Sequence, residues 1–426
     1  MATLVRPFRG LRPIPAQAAA VAAPPYDVLS SAEARVRAAG RPHSFLHVSK
    51  PEIDLPDGTD VYAPAVYAKG AENFRRMIDT GVLRRDPEPR YYVYRMTMGA
   101  HTQTGLAIAA SVADYDTNRI RKHEFTRPDK EDDRVHQIEA LNAQTGPVLV
   151  AYPAHAELQR IVADAARGAP DYQVSADNDV VHAIWSITAP ATLARVTAIF
   201  DAMPALYIAD GHHRSAAASR VAAARRGKES AARRGRETAA RRETPASDAA
   251  DYFLAVAFPH DQMRILDYNR VVKDLNGLTP AAFLQKVGDR FDVSPSPAQV
   301  KPDRPQRFGL YLKGQWYALD IKPAFVPAHD PVARLDVSLL QDNLIAPVLG
   351  IADQRRDKRI DFIGGIRGLA ELEARVNSGE MAAAFALHPT RMDQLMAVAD
   401  AGQVMPPKST WFEPKLADGL VSHVLD

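Results

Sequence analysis

The stretch Leu206-Tyr207-Ile208-Ala209-Asp210-Gly211-His212-His213-Arg214 constrains this chain more than any other. A short apolar run ends in an Asp-Gly pair, and an alanine-rich segment of strong helix formers follows from Ser215 to Arg226. That order spells strand, tight turn and helix N-terminus. A helix start presents unpaired N–H groups and the positive end of the helix dipole. With Arg214 placed to fork onto an anion, the turn suits phosphate. Asp-Gly is also common in ordinary turns, and a histidine near a helix start also serves as a cap or surface residue. Adjacent His212 and His213 project in different directions, so one metal ion is not expected to take both.

Several other segments carry candidate chemistry. Pro25-Tyr26-Asp27 sets a carboxylate on a proline-stiffened turn, where Asp27 can hold a metal, accept a hydroxyl proton or close an Asx-turn. In Lys122-His123-Glu124-Phe125-Thr126 the HExxH zinc pattern fails, because position 127 is Arg127. A glutamate beside a histidine at a strand end can still act as a general base, which makes Glu124 and His123 candidates. Downstream, Lys130 and Arg134 are four apart on an expected helix from Pro128 towards Asn142, so both can meet one anion. Taken alone, that run also reads as a solvated charged helix. Met405-Pro406-Pro407-Lys408-Ser409-Thr410-Trp411-Phe412-Glu413-Pro414-Lys415 supplies a cation and two hydroxyls, at Lys408, Ser409 and Thr410, behind two prolines. Those groups suit phosphate oxygens or an ordinary polar loop equally. Arg355 to Asp361 with Gly364-Gly365 reads as a basic surface turn.

Strands are expected at Arg90–Met98 and Gly105–Tyr115, as a hairpin around Gly99, and at Val148–Tyr152, Val181–Thr188, Leu206–Ala209 and Phe253–Phe258. Helices are expected at Ser31–Ala39 and Pro64–Thr80. Residues from about Gly277 onward read as a second α+β lobe, with a hairpin at Phe308–Leu312 and Trp316–Ile321, helices at Ser338–Leu349 and Leu369–Asn377, and a strand at Ala382–Leu387. The expected layout is therefore a catalytic region over 1–276 and a lobe over 277–426 that contributes the Pro-Pro-Lys-Ser-Thr loop. Residues 222–248 are rich in arginine and alanine and read as a disordered or frayed-helix insertion.

Composition narrows the function classes. A net charge of +2 gives no field that favours nucleic acid. Without cysteine there is no thiol nucleophile and no thiolate metal site. No apolar run reaches membrane-spanning length, and the short Ala16–Ala23 stretch does not resemble a secretory core, so the expected location is cytoplasmic.

Together, PPYDV at Pro24–Val28, HEFT with KEDDR at His123–Arg134, ADGHHR at Ala209–Arg214 and MPPKSTWFEPK at Met405–Lys415 resemble the DUF1015 family, whose members are often labelled ParB-like. Ser215 departs from the aromatic residue frequent there. The DGHHR turn is also similar to the phosphate-binding turn of the ParB/sulfiredoxin superfamily, which includes free serine kinases. The resemblance implies a mixed α/β (α+β) fold, with a ParB/sulfiredoxin-like phosphate-binding core, large insertions and a C-terminal lobe. It implies phosphate binding by Gly211, His212, His213 and Arg214, and makes Asp210 a candidate for Mg2+. The implied reaction is phosphoryl transfer between ADP or ATP and serine or phosphoserine. A phosphoserine phosphatase without nucleotide and a ParB-like nucleotide- or DNA-binding regulator are the alternatives.

Overall fold

The computed structural model describes residues 3–176, 179–234 and 248–426, with the side chains of 228–234 and 248 outside the description. The chain divides into two compact units: Met1–Met263 together with Pro414–Asp426, and Arg264–Glu413. Both mix helices with largely antiparallel sheet, so the architecture is mixed α+β.

Among the described residues, the first unit is built on a nine-stranded sheet. Its order is Ile120–Arg121, Leu206–Asp210, Val148–Tyr152, Tyr252–Pro259, His101–Ser111, Tyr91–Met98, Val180–Ile187 and Tyr172–Ser175, with Val5–Arg6 added beside His101–Ser111. Val148–Tyr152 and Tyr252–Pro259 are buried at every position, as strands covered on both faces must be. The expected hairpin forms between Tyr91–Met98 and His101–Ser111, and Gly99 takes the positive φ of 58° that its two-residue turn requires. Two pairings decide the site. Leu206–Asp210 runs parallel to Ile120–Arg121, and Tyr252–Pro259 runs parallel to Val148–Tyr152.

A second sheet in this unit joins Leu83–Arg85, Gly10–Pro13, Ser422–Val424 and Ala143–Gln144. This corrects the single boundary expected at 276. The last thirteen residues return to the first unit because Ser422–Val424 pairs with strands on both sides there. The long helix His212–Arg234 buries Ala217, Ala218, Val221 and Ala222. Ala217 and Val221 cluster with Ile138 of the Pro128–Leu141 helix and with Leu425. Small side chains permit this close approach. The segment expected as an insertion therefore begins as helix. Ala222 lies in the core, and Arg225 donates to Asn142 Oδ1 (2.6 Å) and to the Leu425 carbonyl (3.0 Å). Residues 235–247 lie outside the described residues.

The second unit carries an antiparallel six-stranded sheet in the order Phe291–Ser296, Gln315–Ile321, Arg307–Leu312, Ala383–Leu387, Tyr268–Val272 and Ile360–Gly364. The helix expected at Ser338–Leu349 is instead a short helix, Asp336–Leu340, continued by a π-turn over Gln341–Ile345. The basic turn expected after Arg355 ends in the strand Ile360–Gly364. No helix among the described residues is long and apolar enough to cross a membrane.

Candidate functional site

The parallel pairing of Ile120–Arg121 with Leu206–Asp210 carries both chain segments out at the same end of the sheet. Ligand sites in such sheets form where parallel strands end. The register Leu206↔Ile120 and Tyr207↔Arg121, extended by two residues, sets His123 opposite Ala209. Val148–Tyr152 runs antiparallel to Leu206–Asp210, so Gly146 and Pro147 meet the same end. A register shift between Ile208 and Asp210 marks a bulge, a device that re-aims the following side chain. Gly211 then turns the chain at φ 99° into the helix. A Cβ there would also lie 2.9 Å from Arg214 Nε, so glycine is needed both for the turn and for the guanidinium packed on it.

Two clusters follow from this layout. In the first, the His123 and His212 rings meet edge to face with centroids 4.5 Å apart, and Glu124 Oε2 lies 3.6 Å from His212 Nδ1. Both histidines are buried, whereas Glu124 keeps half of its side-chain surface exposed. Burial lowers the His123 pKa to about 4, and burial together with the neighbouring His123 holds His212 well below its usual value. Both rings are therefore neutral at pH 7. His213 turns elsewhere, its Nε2 accepting the Arg127 N–H at 3.1 Å.

The second cluster surrounds a cavity of about 30 Å³ lined by Tyr26, Arg134, Gly146, Arg214 and Asp418, among others. Arg134 lies over the Tyr26 ring at 3.8 Å and is oriented by two bonds to Asp133 Oδ2, at 3.0 and 2.7 Å. Arg214 donates to the Pro147 carbonyl and lies 3.7 Å from Asp210. Burial opposes the charge of each guanidinium. The negative groups around them outweigh it: Asp210 and Asp27 for Arg214, and Asp133 for Arg134. Burial pushes the Tyr26 phenol up to about 12 and the Asp418 carboxyl up to about 7. Asp418 is fixed by paired backbone bonds with Ala23, at 2.8 and 3.2 Å.

Asp210 stands between the clusters. Burial alone would raise its pKa, but Lys415 Nζ at 3.1 Å and Arg214 outweigh that and hold it well below the carboxylate range. Two cations already compensate this carboxylate, and among the described residues it belongs to no group of metal-type ligands. Asp210, the residue expected to take Mg2+, is thus a carboxylate whose charge Lys415 and Arg214 already offset.

Of the other expected site residues, Asp27 is exposed in the turn Tyr26–Val28, and its charge is felt at Arg214, His213 and Asp418. Lys130 and Arg134 share a helix but take different partners, since Lys130 Nζ donates to the Tyr62 hydroxyl at 2.8 Å. Lys408, Ser409 and Thr410 belong to the second unit. There the Lys408 carbonyl accepts from Arg270, and the Ser409 carbonyl accepts from Thr390 Oγ1. Sequence reasoning missed Tyr26, Lys415 and Asp418 as site residues. Tyr26 and Lys415 sit inside quoted motifs, and Asp418-Gly419 repeats the Asp-Gly signal of the main turn.

The fold and site define a two-unit α+β protein whose first unit sets an arginine-lined cavity beside a His–His–Glu cluster. The chain belongs to the DUF1015 family, described as a protein family of unknown function, which matches residues 5–338. No curated protein matches it. Among solved structures it is similar to a free serine kinase in complex with AMP, at 14% identity over 69% of this chain and 84% of that one, with a TM-score of 0.32. It is also similar to SbnI with a C-terminal truncation from Staphylococcus aureus (10% identity, 73% and 85% coverage, TM-score 0.38). A conserved hypothetical protein from Pyrococcus furiosus matches at 14% identity, with 71% and 90% coverage and a TM-score of 0.33.

Proposed function

We propose that the protein transfers a phosphoryl group between a nucleotide, ADP or ATP, and a small hydroxy amino acid, with serine and phosphoserine the first substrates to try. One observation carries the reading. PPYD, KEDDR, the DGHHR turn and the C-terminal tail each send a side chain (Tyr26, Arg134, Arg214 and Asp418) to one small cavity in the first unit. Two half-buried guanidiniums, one of them at a helix start, are a strong attractor for a phosphate group. Phosphoryl transfer asks little covalent chemistry of a protein beyond positioning and charge stabilisation. In this reading Arg134 and Arg214 hold phosphate, and Asp27 or Glu124 takes the hydroxyl proton in the kinase direction. Magnesium is bound through nucleotide phosphates and water rather than by Asp210.

The test is a coupled assay of purified protein with Mg2+ and O-phospho-L-serine, with and without ADP. Serine and ATP formed in equal amounts, and only with ADP, is the expected result. Serine with inorganic phosphate in the absence of nucleotide would replace the kinase reading with a phosphatase. No turnover in either arm would overturn the proposed substrates.

A further inference from the structure

The His123–Glu124–His212 cluster has a property that phosphate binding does not use. The three side chains each offer one ligand atom, all within 4.8 Å of one another, and they form the one such group among the described residues. His123 Nδ1 is fully buried and has no hydrogen-bond partner. An unpaired buried nitrogen costs about 1–3 kcal/mol unless something satisfies it. A backbone hydrogen bond to Ile208 engages the same ring, and metal-binding imidazoles ordinarily have such a backbone partner.

The spacing agrees. Tetrahedral ligands at bond lengths near 2.1 Å stand about 3.4 Å apart, and Glu124 Oε2 lies 3.6 Å from His212 Nδ1. The backbone N–H of His123 donates to His212 Nε2 at 3.5 Å, a long and weak hydrogen bond. Glu124 opens to solvent, which leaves room for a fourth, exchangeable ligand.

From this geometry we infer that His123, Glu124 and His212 bind one divalent transition-metal ion of the zinc type. Two imidazoles and one carboxylate suit such an ion and not magnesium, which prefers an all-oxygen shell. The failed HExxH spacing is completed in three dimensions by a histidine from the Gly211 turn, eighty-eight residues beyond Glu124 in the chain. In this assignment Glu124 is a metal ligand, which leaves Asp27 to accept the substrate proton. The metal site does not depend on the phosphotransfer reading.

The test is metal binding by the full chain, independent of turnover. Chelator-stripped protein is titrated with Zn2+ and, separately, with Mg2+, by calorimetry and by competition with a chromogenic chelator. The expected result is one zinc per chain, bound at least a hundredfold more tightly than magnesium. Glu124→Gln changes a half-exposed side chain and is expected to keep the fold while weakening zinc at least tenfold. Co2+ should give visible absorption bands of a nitrogen–oxygen tetrahedral site, absent in His123→Asn. Zinc binding no tighter than magnesium, or zinc bound equally by wild type and Glu124→Gln, would overturn the assignment.

Discussion

Arg214 carries the largest share of the account at the level of single residues. It reaches Pro147, Asp210 and Gly211 at once and borders the cavity. Arg214→Ala should lower kcat/KM by about a hundredfold or more, the scale for removing one charge-stabilising donor from a preorganised site. Circular dichroism and a melting curve would separate this loss from unfolding. Gly211→Ala is expected to be worse for the fold. Holding a side chain at φ 99° costs on the order of 1–3 kcal/mol, and the new Cβ would collide with the guanidinium. A lowered Tm together with reduced phosphate affinity is the result to look for. Asp418 supplies a pH signature. Its folded pKa, about 7, lies above the ordinary carboxylate value of 3.8, so between those values the folded carboxyl holds a proton that the unfolded chain has lost. Stability therefore falls as pH rises from about 4 through about 7. Asp418→Asn should flatten that part of the pH–stability curve in urea titrations and strengthen anion binding above pH 7. At this scale the sequence was readable where a motif concentrates chemistry, as in the DGHHR turn. It could not show that Asp210 is neutralised by Lys415, because 205 residues separate the two.

Among the secondary-structure elements, legibility followed hydrophobic pattern. Val148–Tyr152 and Pro64–Asp79 appear as the periodicity implied, give or take a terminal residue. Strands that broke the pattern were overlooked. Tyr268–Val272 carries Arg270 at its centre, buried and bonded to the Lys408 carbonyl. Phe291–Ser296 contains Pro295, which is tolerated because this is an edge strand. The charged KEDDR helix was legible as a helix, but its partners were not. Glu131 and Asp132 pair with Arg220 of the long helix at 3.3 and 2.7 Å, and Asp133 orients Arg134. Packing between these two helices depends on the small face of the longer one. Ala217→Leu is expected to overpack the contact with Ile138 and cost about 1–3 kcal/mol, measurable as a lower urea midpoint with an unchanged slope.

At the scale of the whole molecule, the return of the tail is the feature the sequence hid. A strand as short as Ser422–Val424 has no periodicity to read, and it joins two others distant in the chain. Through it the tail places Lys415 on Asp210 and Asp418 in the cavity wall. Ending the chain after Glu413 should therefore destabilise the first unit and abolish phosphate binding. Limited proteolysis would show this as faster cleavage within residues 3–263.

The most direct test of the central claim is calorimetric titration of ADP and of O-phospho-L-serine into wild type, Arg134→Ala and Arg214→Ala. Binding to wild type, weakened at least tenfold in each folded variant, is the result this account predicts. Equal binding in all three proteins, or no binding to wild type, would contradict phosphate recognition by the two-arginine cavity.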